Sequence, residues 1–222
     1  MTKLLPTFFA VLVAFLNVTA QAQAQELKGD AKAGQAINAM CIGCHGIKGY
    51  QASFPEVYKV PMISGQSEKY IVASLNAYKK GERKHPSMRG ISETLTDQNM
   101  ADLAAYYSGH GVVEGKSAPK EVKAPSAQVA ALLGKANCAS CHGANFSMPI
   151  DPSYPKIGGQ HADYLFVALK SYKNDANAIV GRGNAIMAGM AKQYSNAELK
   201  QIANYLASVQ GEVKIEPQSR WR

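Results

Sequence analysis

A chain of 222 residues with a net charge of +8 is long enough for one large domain or two small ones. Its Lys and Arg residues are spread along the chain, with no basic run and no nucleic-acid motif. This argues against nucleic acid as a partner and leaves acidic docking partners steered by electrostatics.

The first stretch, residues 1–24, reads as a secretory signal peptide. Lys3 supplies a basic start, Leu4–Leu16 is apolar apart from Pro6 and Thr7, and Ala20-Gln21-Ala22 or Ala22-Gln23-Ala24 offers a cleavage site. The apolar run is shorter than the roughly 20 residues of a spanning helix, and it ends in Asn17 and Thr19. Nothing later is long or apolar enough to cross a bilayer. The mature chain is therefore expected in the periplasm, with no transmembrane segment after cleavage and with peripheral membrane association left open.

Asp30 is placed to cap a helix over Ala31–Met40 that runs into Cys41-Ile42-Gly43-Cys44-His45. Ser67 caps a helix over Glu68–Lys80, whose Ile71, Leu75 and Tyr78 share one face. Thr96 caps a third helix to about Ser108, with Met100, Leu103 and Tyr107 as its apolar stripe. Gly109–Ser126 holds three glycines, two prolines and mixed charges, and reads as an exposed linker. Beyond it, Leu165, Leu169 and Tyr172 form one stripe and Leu199, Ile202 and Leu206 another, the latter opened by a Ser195/Glu198 capping box. No segment alternates like a strand, so the fold class is all-α. The tyrosines in these stripes read as core residues.

The second half repeats the first. Cys138-Ala139-Ser140-Cys141-His142 follows the first pentapeptide at an offset of 97. Pro61-Met62-Ile63-Ser64-Gly65-Gln66 matches Pro155-Lys156-Ile157-Gly158-Gly159-Gln160 at 94, and Arg83 and Met88 match Arg182 and Met187 at 99. The domains are accordingly set at 25–110 and 127–222, with 111–126 as the linker.

The two pentapeptides use all four cysteines. C-x-x-C-H is the attachment signature of c-type haem: the thiols, one helical turn apart, form thioethers to the two vinyl groups, and the histidine supplies the proximal imidazole. A zinc site is the main rival. Its two cysteine pairs, however, are usually about 15–20 residues apart, whereas these are nearly a hundred apart. Two covalently bound haem c groups follow, on Cys41, Cys44, Cys138 and Cys141, with His45 and His142 on the irons.

A second strong ligand would close each iron. Met88 is the candidate in the first unit because it alone has a counterpart in the repeat, Met187, and its neighbourhood is rich in Gly, Pro and Ser and reads as a loop. Met190, three residues on, is the rival to Met187. Neutral thioether ligation raises the reduction potential, as suits an electron carrier. The carbonyls of Pro61 and Pro155 are candidate acceptors for the second N–H of each axial histidine. Arg83 and Arg182 are candidates for pairing with haem propionates. His85 and His161 occur in one copy each and read as surface or propionate-side groups; His110, in the linker, is expected to be solvated. Such small units bury little apolar surface of their own, so protein without haem is expected to be largely unfolded.

The signal peptide, duplicated C-x-x-C-H, P-x-I-x-G-Q, tyrosine-rich middle helix and Arg-x4-Met resemble the dihaem cytochrome c4 family over essentially the whole mature chain. That resemblance implies two tandem class I cytochrome c domains related by a pseudo-two-fold axis. It also implies electron transfer without catalytic residues, from quinol–cytochrome c reductase to a terminal oxidase. The alternative is the cytochrome subunit of a dehydrogenase, such as flavocytochrome c sulfide dehydrogenase. Residue by residue, the resemblance makes Cys41, Cys44, Cys138 and Cys141 the thioether sites and His45, Met88, His142 and Met187 the iron ligands.

Overall fold

The computed structural model describes residues 27–113, 115, 117–174 and 177–217. The signal peptide expected at 1–24 lies outside the described residues. The first half begins where the Asp30 carboxylate accepts the N–H groups of Lys32 and Ala33 and starts α1 (Ala31–Ile37). This helix does not run on to Met40. It breaks at buried Asn38, whose carbonyl accepts from Cys41 and Ile42, and α2 (Ala39–His45) carries the first pentapeptide. The backbone carbonyl of Asn38, not its side chain, carries this junction.

Helix α1 crosses α5 (Asp97–Gly109) at close range. A β-carbon on Gly34 would lie 2.0 Å from the Asp102 carbonyl oxygen, and one on Gly29 would lie 2.2 Å from that of Ala101. Only glycine admits this approach. Between these helices lie β1 (Gln51–Ala52) paired with β2 (Tyr58–Lys59), then α3 (Glu68–Lys79), β3 (Arg83–Lys84) and α4 (Pro86–Glu93). Ile71, Leu75 and Tyr78 of α3 are buried, as their spacing predicts. With Ile42, Met100, Leu103 and Tyr107, Ile71 and Leu75 form the first core.

The second half comprises α6 (Ala127–Lys135), α7 (Cys138–His142), α8 (Ala162–Ser171), β4 (Gly181–Arg182), α9 (Ala185–Ala191) and α10 (Asn196–Ser208). Its separate core gathers Leu132, Phe146, Leu165, Tyr194, Leu199, Ile202 and Leu206. Both expected capping structures form: Thr96 with Asn99, and Ser195 with Glu198. Ser67, by contrast, makes no side-chain cap; Gln66 Oε1 accepts its N–H at 3.1 Å instead. The chain is thus mostly helical, and the described strands are two residues long.

The segment after α5 is not free. Ala118 is buried, its N–H meets Glu212 Oε1 at 3.1 Å, and the Lys123 carbonyl accepts from Tyr205 at 2.9 Å. It straps the second domain, because its carbonyls and N–H groups find partners there.

The seam between the halves has pseudo-two-fold symmetry. Gln66 Oε1 accepts the Lys156 N–H at 2.9 Å and Gln66 Nε2 donates to the Lys156 carbonyl at 3.0 Å. Gln160 does the same to Met62, at 3.0 and 2.9 Å. Both glutamines are 4% exposed. Strands β3 and β4 pair antiparallel across the domains, Arg83 opposite Arg182. Lys59–Asp163, Lys156–Glu212 and Lys170–Glu56 add ion pairs between the halves or along their joint.

Candidate functional site

Each pentapeptide forms a short helix that ends at its histidine. Their four thiols are free and half-buried, and burial together with the nearby Cys44 pushes the Cys41 thiol up to about 11. His45 Nδ1 lies 2.8 Å from the Pro61 carbonyl oxygen, and His142 Nδ1 lies 3.0 Å from that of Pro155. A carbonyl can only accept, so Nδ1 carries the proton in both rings and Nε2 keeps its lone pair. Burial lowers the basicity of both imidazoles, against the opposing pull of those carbonyls. Two neutral imidazoles result, each with its ring oriented and one nitrogen free to ligate.

Met88 does not lie in a loop. It sits in α4, at the third helical position, and its N–H donates to His85 Nδ1 at 3.4 Å. Pro86 begins this helix, where its missing N–H costs nothing. Met187 holds the same place in α9: its N–H donates to the capping Asn184 Oδ1 at 3.0 Å. Met190 stands one turn later, where the repeat has Ile91, and its sulfur lies 3.9 Å from Gln193 Nε2. The capping register therefore pairs Met88 with Met187, as the sequence offset does. Met88 and Cys41 both pack on the first core, and Cys138 packs on the second.

The remaining histidines and the arginines find roles that composition hides. His85 is the cap of α4. His110 is half-buried rather than free in solvent: its ring stacks on Tyr106 with centroids 4.7 Å apart and Nδ1 lies 2.9 Å from Ser64 Oγ. Arg83 and Arg182 are no ordinary surface charges. They stand together in the seam, where their guanidinium N–H groups donate to the tyrosine hydroxyls of Tyr70, Tyr164 and Tyr172. Among the described residues neither has a carboxylate partner, and Arg83 Nε is buried without any acceptor.

The donor set fits haem c. Each domain offers two free thiols one helical turn apart and an imidazole with a free nitrogen. The sequence did not flag Gln66, Gln160 or Tyr164 as seam residues. The P-x-I-x-G-Q repeat contained the signal for the glutamines, but only their contacts reveal the exchange.

The family model for cytochrome c matches residues 31–109 and again 126–210. A cytochrome c4 of Azotobacter vinelandii is 31% identical over 207 residues, covering 88% of this chain and 95% of that protein. A thiosulfate dehydrogenase electron acceptor of Stutzerimonas stutzeri is 28% identical over 217 residues, covering 89% of this chain and 92% of that protein. The crystal structure of reduced recombinant cytochrome c4 from Pseudomonas stutzeri aligns with a TM-score of 0.61 at 28% identity, over 82% of this chain and all of that one.

Proposed function

This chain belongs to the cytochrome c family, in its dihaem cytochrome c4 group, and from that premise we propose that it shuttles electrons in the periplasm between a quinol-oxidising complex and a terminal oxidase. It is an electron-transfer protein rather than an enzyme, and its two cytochrome c domains imply two covalent haem c groups. Among the described residues no helix is long and apolar enough to cross a membrane.

In this reading Cys41, Cys44, Cys138 and Cys141 are the thioether sites, His45 and His142 the proximal ligands, and Met88 and Met187 the distal ones. When bound, the haem supplies a one-electron ferric/ferrous couple, raised in potential by neutral His/Met ligation. The chain's own residues fix the two imidazoles through Pro61 and Pro155, and α4 and α9 hold the methionine backbones through their caps. The observation that carries the reading is the duplicated register: the same histidine–carbonyl pair and the same capped methionine occur in both domains.

An optical redox titration of the holoprotein, with haem counted per chain and carbon monoxide added at the end, tests it. Two low-spin, high-potential haems that refuse carbon monoxide are expected. A high-spin or carbon monoxide-binding haem would overturn the ligation at that domain.

A second reading, service to a dehydrogenase of sulfur compounds, is favoured by the relatives that carry the name thiosulfate dehydrogenase electron acceptor. Co-purification and rapid reduction by such a dehydrogenase, with no reduction by a quinol-oxidising complex, would select it.

A further inference from the structure

The pseudo-symmetry of the seam fails at one residue. Tyr164 on α8 accepts two hydrogen bonds on its hydroxyl: one from Arg83 Nη2 of the other domain at 2.7 Å, one from Arg182 Nη2 of its own at 3.1 Å. Its repeat counterpart Tyr70 receives a single bond, from Arg83 Nη1 at 3.3 Å. The second bond that symmetry would give Tyr70 goes elsewhere, from Arg182 Nη1 to Tyr172 at 3.5 Å.

A phenol has one O–H donor and two acceptor positions. At Tyr164 both acceptor positions are taken by guanidinium N–H groups, and among the described residues the O–H has no acceptor. Removing that proton leaves an oxygen already held by two charge-assisted hydrogen bonds. We propose that Tyr164 is a redox-linked proton site of the interdomain seam, an inference that rests on the haem reading above. When an accepting redox protein takes one electron from ferrous iron in the first domain, leaving it ferric, the Tyr164 O–H bond breaks. The proton passes to solvent, and the phenolate stays between the two guanidiniums. Reduction by a donor protein returns the proton.

The surroundings support the direction of the exchange. Burial pushes the Tyr164 phenol up, but Arg83 and Arg182 outweigh it and bring the group down to about 8. Tyr58, on β2, faces it with ring centroids 6.3 Å apart, and Tyr78 faces it from α3. The neighbouring Asp163 carboxylate is occupied by the N–H and Nζ of Lys59. Arg83 also acts electrostatically on His45, the axial histidine of the first domain. The link therefore favours the first domain. A phenolate in the seam stabilises ferric over ferrous iron, so the potential should fall as pH rises through about 8. Reduction should shift the phenol titration upward.

The experiment is a potentiometric titration across that pH range of the holoprotein, Tyr164→Phe and Tyr70→Phe, after haem has been counted. In the unsubstituted protein the first-domain potential should fall across the window. Tyr164→Phe should lose that dependence, and Tyr70→Phe should keep it. A merely structural role for Tyr164 would change the melting temperature but leave the pH profile. A flat profile in the unsubstituted protein, an unchanged one in Tyr164→Phe, or equal loss in Tyr70→Phe would overturn the inference while the two-haem reading stands. Fewer than two haems in the unsubstituted protein would overturn both. If Tyr164→Phe does not assemble, the ultraviolet tyrosinate band of the unsubstituted protein decides. A step near pH 8 when oxidised that moves upward on reduction supports the assignment. A step at the same pH in both states, or none below about 10, overturns it.

Discussion

Met88 and Met187 owe their equivalence to a cap rather than to the composition around them. In each domain a side chain at the helix start accepts the methionine N–H, His85 in one and Asn184 in the other. That fixes the backbone while leaving the thioether free. Methionine is otherwise a flexible filler, as fully buried Met100 is. Met88→Ala and Met187→Ala should each open one haem: carbon monoxide binding should rise from none to one per chain, read optically. Met190→Leu should leave both closed. Carbon monoxide binding by Met190→Leu and not by Met187→Ala would reassign the second ligand. The sequence offset already chose Met187, but it misread the local structure: a Gly-, Pro- and Ser-rich stretch looked like a loop. Pro86 at the first helical position and a capping side chain before it are helix-start signals that the stretch also carried.

At the scale of elements, the crossing of α1 over α5 is the contact most sensitive to a single atom. Gly34→Ala would place a methyl 2.0 Å from the Asp102 carbonyl oxygen. Backbone cannot yield as a side-chain tip does, so the helices must part, at a cost of about 1–3 kcal/mol typical of overpacking. Denaturant unfolding of the holoprotein should show a lower midpoint, while Gly43→Ala, where a β-carbon meets nothing within 4 Å, should not through that mechanism. The helical stripes were legible because 3.6-residue periodicity reports burial directly. The break at Asn38 was not, because it turns on the backbone carbonyl of one buried residue.

For the whole molecule, the seam is a set of reciprocal polar bonds rather than a shared apolar core. Gln66→Ala would strand the N–H and carbonyl of Lys156 and the N–H of Ser67. Each buried orphan costs about 1–3 kcal/mol, and the loss should appear as earlier separation of the domains. A double-mutant cycle with Gln160→Ala should give losses that do not add, since both glutamines clasp the same two loops, 61–66 and 155–160. The carboxylates define the acid limit. Burial raises Asp163 and Glu212, but hydrogen bonds from Lys59 and Lys156 more than reverse this, and both are held below the usual range. Their contribution is present above about pH 4 and is lost as pH falls through their depressed values. Small-angle scattering should show the protein extending in acid, and at a higher pH in Lys156→Ala; a compact shape throughout would contradict this.

What the sequence determined by itself was written in contiguous residues: two haem attachment motifs, a repeat of a helical unit, the apolar stripes and the caps at Asp30, Thr96 and Ser195, though not the one expected at Ser67. These follow from spacing along one chain, which fixes which side chains share a turn or a face. Tertiary structure alone decided that Gln66 and Gln160 clasp the opposite domain, that the segment around Ala118 is strapped down, that His110 packs against Tyr106, and that Arg83 and Arg182 converge on one phenol. Each of those pairings joins residues far apart in sequence or depends on which of several exposed polar groups becomes buried. A hydrogen-bonding side chain carries no period that names its partner; only the packing of the two domains brings donor and acceptor within reach.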